Sequence, residues 1–187
     1  LLNINSYHYR RGGADVVYLD HAASFEALGW PTAFFAMHHP LNDPTPWADY
    51  FVDELQYGST YGALQKIRMA GKVIYSWEAR RKIDRLIADF RPDVAHAHNL
   101  YHHLSPSVLS ALKARGIPTV MTAHDYKLAC PSPEMLHDGQ VCARCKGGKV
   151  VNCVTGEVRE CDVAVQGGLV VGLGAGNHGR EEVYVRS

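Results

Sequence analysis

Eleven histidines fall in 187 residues, several of them in close pairs. His124-Asp125-Tyr126 directly follows one apolar run, and His96 and His98 sit two positions apart in another. An imidazole titrates near working pH, so a histidine so placed can contact hydroxyls or answer developing charge. The plainer reading is a core or capping histidine bonded to backbone, and for His96 both readings stand. His102-His103 falls in a loop, where solvated side chains are the default. A second feature is Arg11-Gly12-Gly13-Ala14, ahead of a predicted helix. Glycines at a helix N-terminus let backbone N–H groups approach a phosphate, and the helix dipole favours its charge. An ordinary tight turn uses the same pair. The third feature is cysteine: all five lie between Cys130 and Cys161. Cys142-x-x-Cys145 has metal-knuckle spacing, and Cys130 and Cys153 flank it. Four thiolates could make a structural Zn²⁺ site that staples a Gly-rich insertion, with free thiols as the alternative. Cys161 is spare or replaces Cys153. The motif does not open a helix after a strand, so a thioredoxin-like role is set aside.

These residues need elements to hold them. Residues 1–6 alternate apolar and polar and read as the end of a strand. A helix should follow, with Val16, Leu19, Ala23 and Ala27 as its apolar stripe and Gly29 at its C′ position. Residues 30–37 are an apolar run, the next strand, before the loop marked by Pro40, Pro44 and Pro46. Residues 51–69 have no clear period. Within 74–90, Ala79, Ile83, Leu86, Ile87 and Phe90 mark one helical face, and Pro92 stops the helix. Residues 94–98 form a strand. Ser105 reads as an N-cap with Pro106 at N1, Val108, Leu109 and Leu112 make a stripe, and Gly116 ends that helix. Residues 117–123 form another strand. This β-α-β unit of about 30 residues implies a parallel sheet, and its repetition implies a doubly wound α/β domain. In such sheets ligands bind outside the carboxyl ends of the strands. Gly12 and Gly13, His98 and Asn99, and His124 with Asp125 and Tyr126 are all expected on that edge.

Nineteen basic and nineteen acidic residues give zero formal net charge. No whole-domain field draws in nucleic acid or anionic lipid, which excludes a histone-like binder. No apolar stretch of about 18 residues suits a membrane span. Length suits about one domain, with the 150-residue prior. The chain starts Leu1-Leu2 without Met, which suggests a start inside a longer reading frame.

Residues 92–107 (Pro92-Asp93-Val94-Ala95-His96-Ala97-His98-Asn99 and onward) and 116–128 (Gly116-Ile117-Pro118-Thr119-Val120 through His124-Asp125-Tyr126) closely resemble glycosyltransferase family 4-like enzymes. Arg11-Gly12-Gly13-Ala14-Asp15 resembles their glycine loop, with Asp15 where Glu is more usual. Ile74-Tyr75-Ser76-Trp77-Glu78, Cys130-Pro131 and the 138–148 segment fit as well. The resemblance covers about residues 3–154. It implies a Rossmann-like sheet that is the N-terminal, acceptor-side half of a GT-B, retaining, nucleotide-sugar-dependent transferase, carrying a Cys-rich insertion at 130–154. By this resemblance Gly12 and Gly13 lie near the donor diphosphate. His98, Asn99 and Tyr126 line the binding edge, and His124 with Asp125 serves the reacting centre. The implied partners are a nucleotide sugar, a saccharide or glycolipid acceptor and a C-terminal donor-binding domain absent from this sequence. No catalytic metal is implied, in keeping with the lack of an Asp-x-Asp signature, and zinc at Cys130, Cys142, Cys145 and Cys153 would be structural. The expected location is cytoplasmic, with at most peripheral contact at the inner face of a membrane.

The resemblance ends near Thr155. Residues 155–187 read as a divergent, Gly-rich and poorly packed tail, in which Gly172, Gly174 and Gly176 lack a dinucleotide motif. An enzyme domain that is inactive alone is the leading reading. A stand-alone sugar- or nucleotide-binding module and a metal-stapled interaction domain are the alternatives.

Overall fold

Leu2–Ile4 (β1) pairs in parallel with Ala33–Phe35 (β2) on one side and with Ala95–Ala97 (β3) on the other. Thr119–Ala123 (β4) continues the sheet in parallel beyond β3. The order is therefore β2-β1-β3-β4. Helices Gly13–Ala27 (α1), Trp77–Phe90 (α2) and Ser107–Ala114 (α3) connect these strands. The computed structural model describes residues 1–54, 75–100, 104–126, 130, 135–137, 140–142 and 144, and the backbone of short strands at 162–166, 169–173 and 183–184. The last of these borders β4. The chain divides into two units, Leu1–Thr122 with Tyr184–Ser187, and Ala123–Val183. The fold is the Rossmann-like α/β arrangement that the repeated β-α-β pattern implies.

Parallel crossovers are right-handed, so connections running in opposite directions across a sheet put their helices on opposite faces. The path from β1 to β2 goes one way, and that from β3 to β4 goes the other. Leu2, Ile4, Ala95 and Ala97 share one aliphatic core with Ile83, Leu86 and Ile87 of α2 and Val108, Ala111 and Leu112 of α3. Each large aliphatic side chain so buried contributes roughly 1.5–3 kcal/mol. Alternation along the strands sends Asn3 and His96, which are paired in register, to the other face. That face meets α1, whose Tyr18 and His21 make ring contacts with His98 and His96.

The polar character of this second face decides how α1 sits. Its buried residues are Asp15, Tyr18 and Ala22. The apolar stripe expected from the sequence is not the inward one, because Ala23 and Ala27 are exposed. A helix that covers Asn3, His96 and His98 does best with aromatic and polar partners, so Val16 and Leu19 are left half-buried and Ala23 and Ala27 turn outward.

α2 behaves as its pattern demands. Ser76 Oγ accepts from Ala79 N–H at 3.1 Å as the N-cap, and Arg91 closes the helix in a left-handed conformation before Pro92. At α3 the sequence expectation needs correction. Pro106 is the N-cap rather than N1, and Ser105 lies outside the helix at φ +59°. The reason is tertiary. Ser105 Oγ accepts from Ser76 N–H at 2.9 Å and Ser107 N–H at 3.3 Å, while Ser107 Oγ donates to Ser76 C=O at 2.9 Å. This buried hydroxyl knot joins the N-terminal ends of α2 and α3 and offsets the cost of a left-handed serine. Gly116, at φ +67°, ends α3 where an L side chain would be strained.

In the second unit, Leu136–His137 (β5) pairs antiparallel with Gln140–Val141 (β6), with Asp138-Gly139 between them in sequence. Asp162–Gln166 (β7) pairs antiparallel with Leu169–Leu173 (β8) across Gly167-Gly168. These paired strands fall within the stretch that the sequence marks as a Gly-rich tail. Val-rich runs on either side of a Gly-Gly pair are a hairpin signal.

The placement of α1 makes a stability contrast. Ile83→Ala, in the aliphatic core, is expected to cost about 2–5 kcal/mol in urea denaturation. Ala23→Gln should stay within about 0.5 kcal/mol of the parent; a loss of several kcal/mol there would put the aliphatic stripe of α1 inward after all.

Candidate functional site

The strand order reverses at β1, which leaves a crevice between the carboxyl ends of β1 and β3. Ligands of open α/β sheets bind at such a switch point. Two chain segments leave the sheet there, residues 5–12 after β1 and residues 98–100 after β3.

Asn5 holds those segments together. Its Nδ2 donates to Asp15 Oδ1 at 2.7 Å and to Tyr7 C=O at 2.9 Å, and its Oδ1 accepts from Asn99 N–H at 3.2 Å. Ser6 Oγ donates to Asn99 C=O at 2.7 Å. Asp15 Oδ2 accepts from Gly12 N–H at 3.1 Å, which is the reciprocal half of a capping box. Asn5 and Asp15 are both buried. A buried carboxylate persists only when paired or hydrogen-bonded, and here the amide, the loop N–H and the N-terminal dipole of α1 all favour its charge.

Gly12 is the N-cap of α1 and has no side chain with which to cap it. The first-turn N–H groups have no intrahelical acceptor, so they point outward from the helix end. Both glycines are exposed. A Cβ on Gly13 would meet nothing within 4 Å, and one on Gly12 would meet only Asp15 Oδ2 at 3.8 Å. Gly12 has extended backbone, φ −155°, which any residue adopts. Neither packing nor backbone geometry demands glycine here. What the missing side chains leave is open approach to the helix N-terminus. Arg11 stands beside it with its guanidinium 4.4 Å from the centre of the Tyr7 ring.

The loop is anchored at its other end by His8. Its Nδ1 lies 2.9 Å from the Tyr18 hydroxyl, and its backbone N–H donates to Asn42 Oδ1 at 3.1 Å. Burial lowers the His8 pKa to about 4, against a smaller upward pull from Asp43. Burial, with Asp15 adding to it, raises Tyr18 well above the usual phenol value. Both groups are therefore neutral around pH 7.

Among the residues singled out in the sequence, the fold brings Gly12, Gly13, His98 and Asn99 to the switch point. Asn99 is half-buried, whereas His98 is wholly buried against Tyr18 and His21. His96 and His98 share a face as period two requires, with ring centres 4.1 Å apart. His124 and Asp125 are half-buried and Tyr126 is exposed, all three immediately after β4 and within the second unit. Cys130 is buried and Cys142 is half-buried; Cys145, Cys153 and Cys161, like His102 and His103, lie outside the described residues. Sequence reasoning passed over Asn5, Tyr18 and His21. Asp15, three residues after Gly12, had a readable capping-box spacing. Asn5 and His21 gave no local signal, because their partners are distant in the chain. Among the described residues, no helix is long and apolar enough to cross a membrane.

The model of the family described as Glycosyltransferase Family 4 matches residues 11–144. The chain belongs to that family. Comparison with curated proteins and with solved structures finds no match. The matched span of this glycosyltransferase domain opens in the glycine loop, contains the three main helices and passes through His124. A Rossmann-like sheet with a glycine loop at its switch point is the GT-B arrangement that membership implies.

Two expectations follow for this glycosyltransferase domain. Asp15→Ala strands the Asn5 amide and the Gly12 N–H, and should cost roughly 3 kcal/mol in chemical denaturation. Asp20→Ala removes only the exposed pair with Arg10 and should cost under about 1 kcal/mol. For His8 the folded pKa lies below the unfolded value near 6.5, so the unfolded chain binds more protons between the two. Stability should then fall by roughly 3 kcal/mol as pH drops from 6.5 to about 4. Denaturation of a His8→Gln variant across that range should show a shallower slope; an identical slope would assign the titration elsewhere.

Proposed function

We propose that this domain is the acceptor-side half of a retaining GT-B glycosyltransferase, which moves a sugar from a nucleotide-sugar donor to a saccharide or glycolipid acceptor. The observation that carries the reading is the family match over residues 11–144, which spans both the glycine loop and His124. In this reading the open N-terminus of α1 at Gly12 and Gly13 receives the departing diphosphate. Helix dipole and outward N–H groups are suited to charge that grows on the leaving group. The site then gains rate from orienting two sugars and from fixed dipoles, and no divalent cation is required of it. His124 and Asp125 serve the reacting centre, Asn99 and Tyr126 the bound sugars, and a second, donor-binding domain completes the cleft. The chain by itself is then inactive. A glycolipid acceptor would draw the enzyme to the cytoplasmic face of a membrane.

The near-neutral chain agrees with an acceptor that is mostly hydroxyls. Support for the loop assignment comes from the two glycines, whose conformations and surroundings admit a side chain that the sequence withholds.

The test uses the transferase that contains this domain, assayed with UDP- and GDP-sugars. His124→Ala is expected to lower kcat by about 10²–10⁴-fold. Gly13→Ala should leave thermal stability unchanged or slightly raised while kcat/KM falls at least about tenfold. Full turnover in His124→Ala removes that residue from the reacting centre, and full kcat/KM in Gly13→Ala removes the diphosphate from the loop.

A further inference from the structure

The polar face beneath α1 holds a cluster in which only His98 belongs to the expected binding edge. His21 comes from the middle of α1, and His96 and His98 come from β3 and the residue after it. One nitrogen from each ring lies within 4.8 Å of the other two. Ring centres are 4.1 Å apart for His96 and His98, 5.5 Å for His21 and His96, and 6.0 Å for His21 and His98. His96 and His98 are buried and His21 is half-buried. Thr122 Oγ1 lies 2.8 Å from His96 Nε2 and fixes the plane of that ring.

Packing alone would stack three rings, but it leaves two polar groups unanswered. His21 Nδ1 is buried with no hydrogen-bond partner. Asn3, the register partner of His96, has both carboxamide atoms buried without partners. Such orphaned groups each carry a desolvation cost, and they are uncommon in folded proteins. Two of them beside three converging imidazoles point to a ligand site. We propose that His21, His96 and His98 bind one divalent late transition-metal ion, with Zn²⁺ as the reference ion. The donor set is all nitrogen, which suits zinc, copper or nickel and does not suit the oxygen-preferring magnesium and calcium. A tetrahedral ion with bonds of about 2.0–2.1 Å needs nitrogens about 3.3 Å apart, so ring rotations on the order of 1 Å close the set. Three imidazoles leave a fourth position for water, which can in turn hydrogen-bond a neighbouring amide such as that of Asn3.

The ion would tie α1 to β3, about two and a half turns along the helix from Gly12. It is a bracket for the element that presents the glycine loop, and it is separate from the cysteines. The test titrates Co²⁺ and Zn²⁺ into the chelator-stripped 187-residue chain, alongside His21→Phe and a Cys142→Ser/Cys145→Ser variant. Phenylalanine keeps a ring in the helix while removing both nitrogens. One Co²⁺ per chain should bind with the visible bands of nitrogen ligation and without thiolate-to-cobalt charge transfer. The cysteine variant should bind equally well, and His21→Phe should lose at least tenfold in affinity. Zn²⁺ should raise the melting temperature of the parent but not of His21→Phe. Absence of binding in the cysteine variant, or undiminished binding and stabilisation in His21→Phe, overturns the proposal.

Discussion

One buried carboxylate organises the working edge of this domain. Asp15 accepts from the Asn5 amide and from Gly12 N–H, and Asn5 in turn accepts from Asn99 N–H. Those bonds connect the end of β1, the first turn of α1 and the turn after β3. Taking a carboxylate out of water is costly unless its oxygens are answered, so the arrangement is close to all-or-none. Once formed, it sets the direction in which α1 leaves the sheet and holds the glycine loop open. The loop stays exposed because its own contacts are made inward, through backbone and carboxylate.

The sheet above which this happens has two unlike faces. On one side β1 and β3 present Leu2, Ile4, Ala95 and Ala97 to α2 and α3, and the burial of that aliphatic surface is the main source of stability. On the other side the same strands present Asn3, His96 and, just beyond, His98 to α1. Polar groups at such a face do little for the core, and they restrict how α1 can sit. Tyr18 fits because it offers both a ring and a hydroxyl, packing on Phe34 and His98 while bonding His8. In the proposed function, rigid attachment of α1 serves to orient the leaving group before any charge develops.

The aliphatic half of the molecule was legible in the sequence. The spacing of Ala79, Ile83, Leu86 and Ile87 located α2 and its inward face, and Gly29 and Gly116 marked helix ends where the chain takes a left-handed turn. The glycine loop could be read as a helix N-terminus. Hidden features share one cause, which is that their partners are remote in the chain. Ser105 is a left-handed residue before Pro106 because Ser76, 29 positions earlier, needs its hydroxyl. Asn5 looks like an ordinary strand-end residue until Asp15 and Asn99 converge on it.

By itself, then, the sequence determined the class of fold, the aliphatic core and the place of the glycine loop, because these follow from local periodicity and from backbone limits on glycine and proline, and it determined the family through the likeness of its motifs. Only the tertiary structure decided which side of α1 faces the sheet. Apolar periodicity assigns a helix its inward face on the assumption of an apolar partner surface, and here that surface is histidine and asparagine. The same step brought His21 beside His96 and His98, across 75 positions of chain that no local rule connects.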